Sequence, residues 1–153
     1  MTTRAPSIAE LRLLTHRPEP MIAWWAALLG ASAQTVNSRA TAISSAAATV
    51  VIERSEIALD FHPEASGVTV IGVAPGSPTA VAATVRRLAE LGSHPHRATR
   101  EVSQTCLWYR DPNGADVTVQ VPGGPAGTAA AGLFPDELDP HAVLADLQAG
   151  ADA

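Results

Sequence analysis

Trp108-Tyr109-Arg110-Asp111-Pro112-Asn113-Gly114-Ala115-Asp116-Val117-Thr118-Val119-Gln120-Val121 reads as a strand, a tight turn and a second strand. Asn113-Gly114 is a strong hairpin signal, because both residues tolerate a positive φ. Beyond the turn, Val117, Val119 and Val121 alternate with Asp116, Thr118 and Gln120. A strand with that alternation buries the valines and turns the polar set to the other face. Thr105 to Tyr109 and, before it, His94 to Arg100 are candidate strands upstream of the turn.

Upstream, Pro75-Gly76-Ser77-Pro78 supplies a turn, an N-cap serine and a proline at the first helical position. Val81, Val85 and Leu88 form the apolar stripe of the helix that follows, which Leu91-Gly92 ends. Val68 to Val73 is a strand before it. The order strand, helix, three strands occurs earlier as well. Ile8 to Thr15 reads as a strand, Pro18 and Pro20 open a helix with Ile22, Trp25 and Leu29 on one face, and Gly30 stops it. Trp24, adjacent to Trp25, is expected to be partly exposed. Ala31 to Ile52 reads as two strands broken near Asn37 to Arg39, and Glu56 to Phe61 as a half-buried strand with Ile57, Leu59 and Phe61 on one side. Gly92 stands 62 residues after Gly30, a period too long for a solenoid and suited to a duplicated module.

These features resemble the vicinal-oxygen-chelate group, which includes glyoxalases, bleomycin-resistance proteins and dioxygenases. Trp24-Trp25-Ala26-Ala27-Leu28-Leu29-Gly30 is similar to that group's aromatic first helix ending in Leu-Gly. Trp108 to Gly114 is similar to its aromatic-x-x-Asp-Pro-x-Gly turn. The resemblance implies an α+β fold of two tandem βαβββ modules forming curved mixed sheets around a cup. The expected organisation is a leader over 1–7, module one over 8–62, module two over 67–122, and a Gly/Ala-rich linker with a short C-terminal helix over 123–153. The modules are expected to form one domain, and Asp139-Pro140 is expected to cap the last helix through Gln148. That helix could dock on its own domain or on a second subunit, and disorder is the third possibility.

The family typically holds a divalent metal with side chains from the first and last strands of each module. Carried onto this chain, those positions fall at Glu10, Ala58, Val68 and Thr118. A catalytic divalent site needs about three N, O or S donors and an open position. This set offers one carboxylate and one neutral hydroxyl, so no metal or other cofactor is expected, with a divalent metal as the alternative. Glu10, Glu56, Asp60, Trp108, Asp116, Thr118 and Gln120 are the candidate ligand-binding residues, with an acidic bias suited to a cationic or hydrogen-bonding ligand. The plainer reading of these groups is a solvated sheet face.

Other features narrow the choice. The net charge of −5 without clustered Lys and Arg argues against nucleic acid. No apolar run reaches membrane-spanning length, and the N-terminus has no apolar signal core. Cys106, the single cysteine, excludes an internal disulfide and reads as a buried structural thiol; a cytoplasmic location is expected. His94-Pro95-His96 has metal-compatible spacing but no evident third ligand. His16 and His62 read as turn histidines, either of which could rim a pocket. The leading expectation is a metal-free binder of a drug or metabolite, with a second copy of the chain as its expected protein partner in a homodimer. The alternative is a lyase, isomerase or dioxygenase-type enzyme working through a shifted metal or carboxylates such as Glu10 or Asp116. A non-catalytic assembly domain is the third.

Overall fold

The duplicated pattern appears in the computed structural model as two sheets with the same strand order. Residues 8–101, 104–122 and 136–151 are described; the leader over 1–7 and the linker over 123–135 lie outside them. The chain divides into two units, residues 1–60 and 61–153.

In the first unit, β1 (Glu10–Thr15) leads into α1 (Pro18–Leu29), then β2 (Ala33–Asn37), β3 (Ala40–Ser44) and β4 (Thr49–Arg54). The sheet order is β1-β4-β3-β2, with β1 parallel to β4 and the other pairs antiparallel. Gly30 ends α1 in the left-handed conformation at φ 62°, which glycine adopts without a Cβ penalty. Met21, Trp24, Trp25 and Leu28 are the buried face of α1, rather than Ile22, Trp25 and Leu29. Trp24 is only 4% exposed, against expectation. Its ring meets Trp25 edge-to-face with centroids 5.5 Å apart, so a broad apolar stripe holds both adjacent indoles.

Two strand expectations need correction here. Ala31 to Ile52 contains a second break, because Ser45 closes a turn with no glycine or proline. Its hydroxyl donates to the Ala48 carbonyl and accepts from the Ala47 and Ala48 amides. The third strand is therefore Thr49–Arg54, and Glu56 to Phe61 forms no strand at all. β4 lies between β1 and β3, so the place that Glu56–Phe61 was expected to fill is already taken. Ile57 and Leu59 are left 90% and 86% exposed.

In the second unit, β5 (Val70–Val73) precedes α2 (Pro78–Glu90), followed by β6 (Arg97–Arg100), β7 (Thr105–Arg110) and β8 (Asp116–Val121). β9 (Asp136–Leu138) and α3 (Pro140–Ala151) complete it. The order is β5-β8-β7-β6-β9, with β5 parallel to β8, which repeats the first sheet and adds β9 at the edge. The Ser77 hydroxyl caps α2 by accepting from the Ala80 amide at 3.1 Å. Val81 and Leu88 are fully buried, but Thr84 rather than Val85 occupies the buried position between them. Val117, Val119, Leu107, Tyr109 and Ala98 lie buried on the helix-covered face of this sheet. The Asp139 carboxylate accepts from the His141 amide at the start of α3, which packs against α2 and β6 of its own unit. No described helix is long and apolar enough to cross a membrane.

Candidate functional site

Asp111 sets the geometry of the second sheet's polar face. Its carboxylate accepts from the amides of Asn113 (2.9 Å) and Ala115 (3.0 Å), and its carbonyl accepts from Gly114 at 2.8 Å. The turn fixes the register of β7 on β8: Arg110 opposite Asp116, Trp108 opposite Thr118, Cys106 opposite Gln120. β6 then places Arg97 opposite Trp108 and Thr99 opposite Cys106. Directly opposed residues share a face. Arg97, Thr99, Cys106, Trp108, Arg110, Asp116, Thr118 and Gln120 therefore share one face, on which Thr99, Cys106 and Thr118 are buried, Arg97, Trp108, Asp116 and Gln120 half-buried and Arg110 exposed.

Trp108 is held at the centre. Its indole Nε1–H donates to Thr99 Oγ1 at 2.8 Å, and the Arg97 guanidinium carbon lies 4.9 Å from the ring centroid. Arg97 also grips the Glu137 carboxylate of β9, donating from Nε at 2.8 and 3.0 Å and from Nη2. That hydrogen bond is the main reason Glu137 is held below the usual carboxylate range. One residue pair along, Asp116 Oδ1 receives Arg110 Nε at 3.4 Å and lies 3.7 Å from His96 Nε2. Burial first, and Arg110 next, lower the His96 pKa below 6.5, with Asp116 opposing them. Gly72 of β5 completes the row beside Thr118. A Cβ there would stand 3.2 Å from Gln120 Nε2 and 3.4 Å from Thr118 Oγ1, so glycine keeps this end of the face open.

Of the seven candidate residues, Trp108, Asp116, Thr118 and Gln120 come together on this face. Glu10, Glu56 and Asp60 belong to the first unit. Glu10 accepts from Arg12 Nε at 2.6 Å, and Arg12 Nη1 also donates to Glu53 at 2.5 Å. Glu56 is exposed in the segment after β4 rather than on a strand. Asp60 pairs there with Arg17 at 2.9 Å and lies 3.8 Å from His16. The expected acidic bias is not what the second sheet carries, since Arg97 and Arg110 stand among its acids.

Sequence reasoning missed Gly72, His96, Arg97, Thr99, Arg110 and Glu137 as members of this surface. The alternation of Arg97 and Thr99 against Trp108 and Cys106 was available. The pairing that aligns them was not. Cys106 is buried, and burial is the largest cause raising its thiol to about 11, which leaves little thiolate for nucleophilic work. His94 is exposed, and His62 accepts from the Glu64 amide at 3.3 Å.

The register also corrects two of the positions carried over from the family. Thr118 is the third residue of β8 and pairs with Gly72; the same place in the first sheet is Val51, which pairs with Arg12. Ala58 lies off the strand altogether. Val68 precedes β5, whose first residue, Val70, matches Glu10. Glu10, Val51, Val70 and Thr118 still supply one carboxylate and one hydroxyl, a donor set that does not fit a divalent metal. Among the described residues, no three His, Cys, Asp or Glu side chains gather to hold a metal ion.

No family model and no curated protein sequence matches the chain. Solved structures do. The glyoxylase/bleomycin resistance protein/dioxygenase domain from Frankia sp. EAN1pec is similar with TM-score 0.64 and 12% identity, over 78% of this chain and 99% of that one. The glyoxalase/bleomycin resistance protein from Albidiferax ferrireducens T118 gives 0.59 and 16%, over 74% and 97%. Lactoylglutathione lyase from Agrobacterium tumefaciens gives 0.58 and 14%, over 76% and 94%. The chain thus has the fold of the glyoxalase, bleomycin-resistance and dioxygenase proteins, the vicinal-oxygen-chelate architecture.

Proposed function

We propose that this chain binds a small organic molecule on the polar face of β6, β7 and β8, without a divalent metal. The observation that carries the reading is Trp108, fixed through Thr99 and flanked by Arg97, Arg110, Asp116, Thr118 and Gln120. An ordered indole offers a flat apolar platform, and the neighbouring side chains offer directional hydrogen bonds. Both belong to a binding surface. A metal-dependent glyoxalase-type reaction has no support from the residues at the family positions.

A second reading is favoured by the pair of His96 and Asp116. A neutral imidazole 3.7 Å from a carboxylate could accept a proton from a bound molecule, with Arg110 beside the developing charge. In that case the protein is an acid/base lyase or isomerase, and the same face is its active site.

Metal content tests the metal-free part of the reading. Protein purified without added metal and analysed by inductively coupled plasma mass spectrometry should carry well under one divalent ion per chain. One bound ion per chain, lost on Glu10→Ala, contradicts it.

A further inference from the structure

We infer that the ligand of this face is an aromatic carboxylate, whose acid group takes the place of Glu137 on Arg97. The inference rests on the binding reading above and adds the chemical class of the ligand. Arg97 is the best-placed recognition group on the face. Its guanidinium lies 4.9 Å from the Trp108 ring centroid, and its Nε and Nη2 edge is presented to a carboxylate. Arginine can do both at once, because the planar cation stacks on π-systems while its edge forks a carboxylate. An aromatic acid has the two matching parts, a ring to extend the stack and an acid to meet the fork.

The two partners of this ion pair differ in how firmly they are held. Trp108 supports the guanidinium from one side, and the indole is itself tied to Thr99. The Glu137 side chain is 62% exposed, on the strand at the sheet edge. An exposed ion pair of this kind contributes little to stability, so exchanging one carboxylate for another costs little. A cation would have to enter at Asp116, whose Arg110 partner is 66% exposed but where His96, 3.7 Å away, is a second basic neighbour. Arg97 instead hydrogen-bonds the exposed Glu137 carboxylate and has Trp108 as a platform for a ring. This pairing of fork and platform favours an anion, although the chain as a whole is acidic.

The test uses two naphthalene probes of similar size and opposite charge, 1-naphthoate and 1-naphthylmethylammonium, with the full-length chain. Binding is followed by two-dimensional NMR of the backbone amides, the Trp108 indole N–H and the Arg97 Nε–H. Naphthoate should shift the Trp108 and Arg97 signals and saturate. Glu137→Gln, which keeps the side-chain shape, should tighten naphthoate several-fold, and Arg97→Gln should weaken it by roughly tenfold or more. The unperturbed amides of α2, in the same unit as both substitutions, report that each variant is folded. Tighter binding of the ammonium probe, or naphthoate affinity unchanged in both variants, overturns the inference while leaving a binding face in β6 to β8. Failure of both probes to shift any signal of that face overturns the inference. Binding of small molecules in general to the β6–β7–β8 face is tested separately, by selection from a compound library.

Discussion

His96 stands between opposing charges, and its titration reads the local field directly. Burial, Arg110 and Arg97 act to lower its pKa, while Asp116 acts to raise it. Proton-detected titration of the imidazole should give a midpoint below 6.5. Asp116→Asn should move that midpoint further down, and Arg110→Gln should move it up. The reverse order of the two variants contradicts the assigned contacts. The linked effect on stability has a definite sign. Because the folded pKa is depressed, the contribution is complete above 6.5 and is lost as pH falls toward the folded value, where the unfolded chain takes up a proton that the folded chain resists. At this scale Asp116, Thr118 and Gln120 were legible from the alternation that follows Asn113-Gly114. Arg97 and Glu137 were not, because Arg97 is placed by the register of β6 on β7, and Glu137 by pairing of β9 with β6, about 40 residues earlier in the chain.

Helix α2 shows how much one local signal can carry. Pro75-Gly76-Ser77-Pro78 marks the helix start in the sequence, and the Ser77 hydroxyl caps the Ala80 amide in the fold. Ser77→Ala should cost about 1 kcal/mol in chemical denaturation, and Ser77→Asp should largely retain the cap. An unchanged midpoint for the alanine variant would remove the cap from the account. The ends of elements marked by glycine, proline or asparagine were legible, as at α1 with its Gly30 stop, α2, and the turn between β7 and β8, although the buried face of α1 and the middle of the α2 stripe were misplaced. The segment after β3 was not. Ser44-Ser45-Ala46-Ala47-Ala48 turns without glycine or proline, through the Ser45 hydroxyl and a hydrogen bond from the Ser45 amide to the Ala48 carbonyl, so β4 merged into the preceding run. Glu56 to Phe61 has the alternation of a strand, but alternation states only which face would be buried if a partner existed. With β4 already between β1 and β3, the place expected for that segment is taken.

Two sheets share the order first, last, third and second strand within each module, and this internal repeat is what the 62-residue offset of Gly30 and Gly92 encodes. The repeat of topology is not a repeat of chemistry. Arg12 pairs with Val51 in one sheet, whereas Gly72 pairs with Thr118 in the other. The first polar face is occupied by Arg12 bridging Glu10 and Glu53, and the second carries Trp108 beside the Arg97–Glu137 and Arg110–Asp116 pairs. Fold alone assigns no activity, since one architecture hosts binders and enzymes. The central claim is that the β6–β7–β8 face binds a small molecule, and affinity-selection mass spectrometry tests it most directly. A library of organic acids, bases and neutral compounds would be passed over the intact chain and over Thr118→Trp, which fills the row beside Gly72 and Trp108. The account predicts compounds retained by the intact chain and lost from the variant. No retained compound, or equal retention by both proteins, contradicts it.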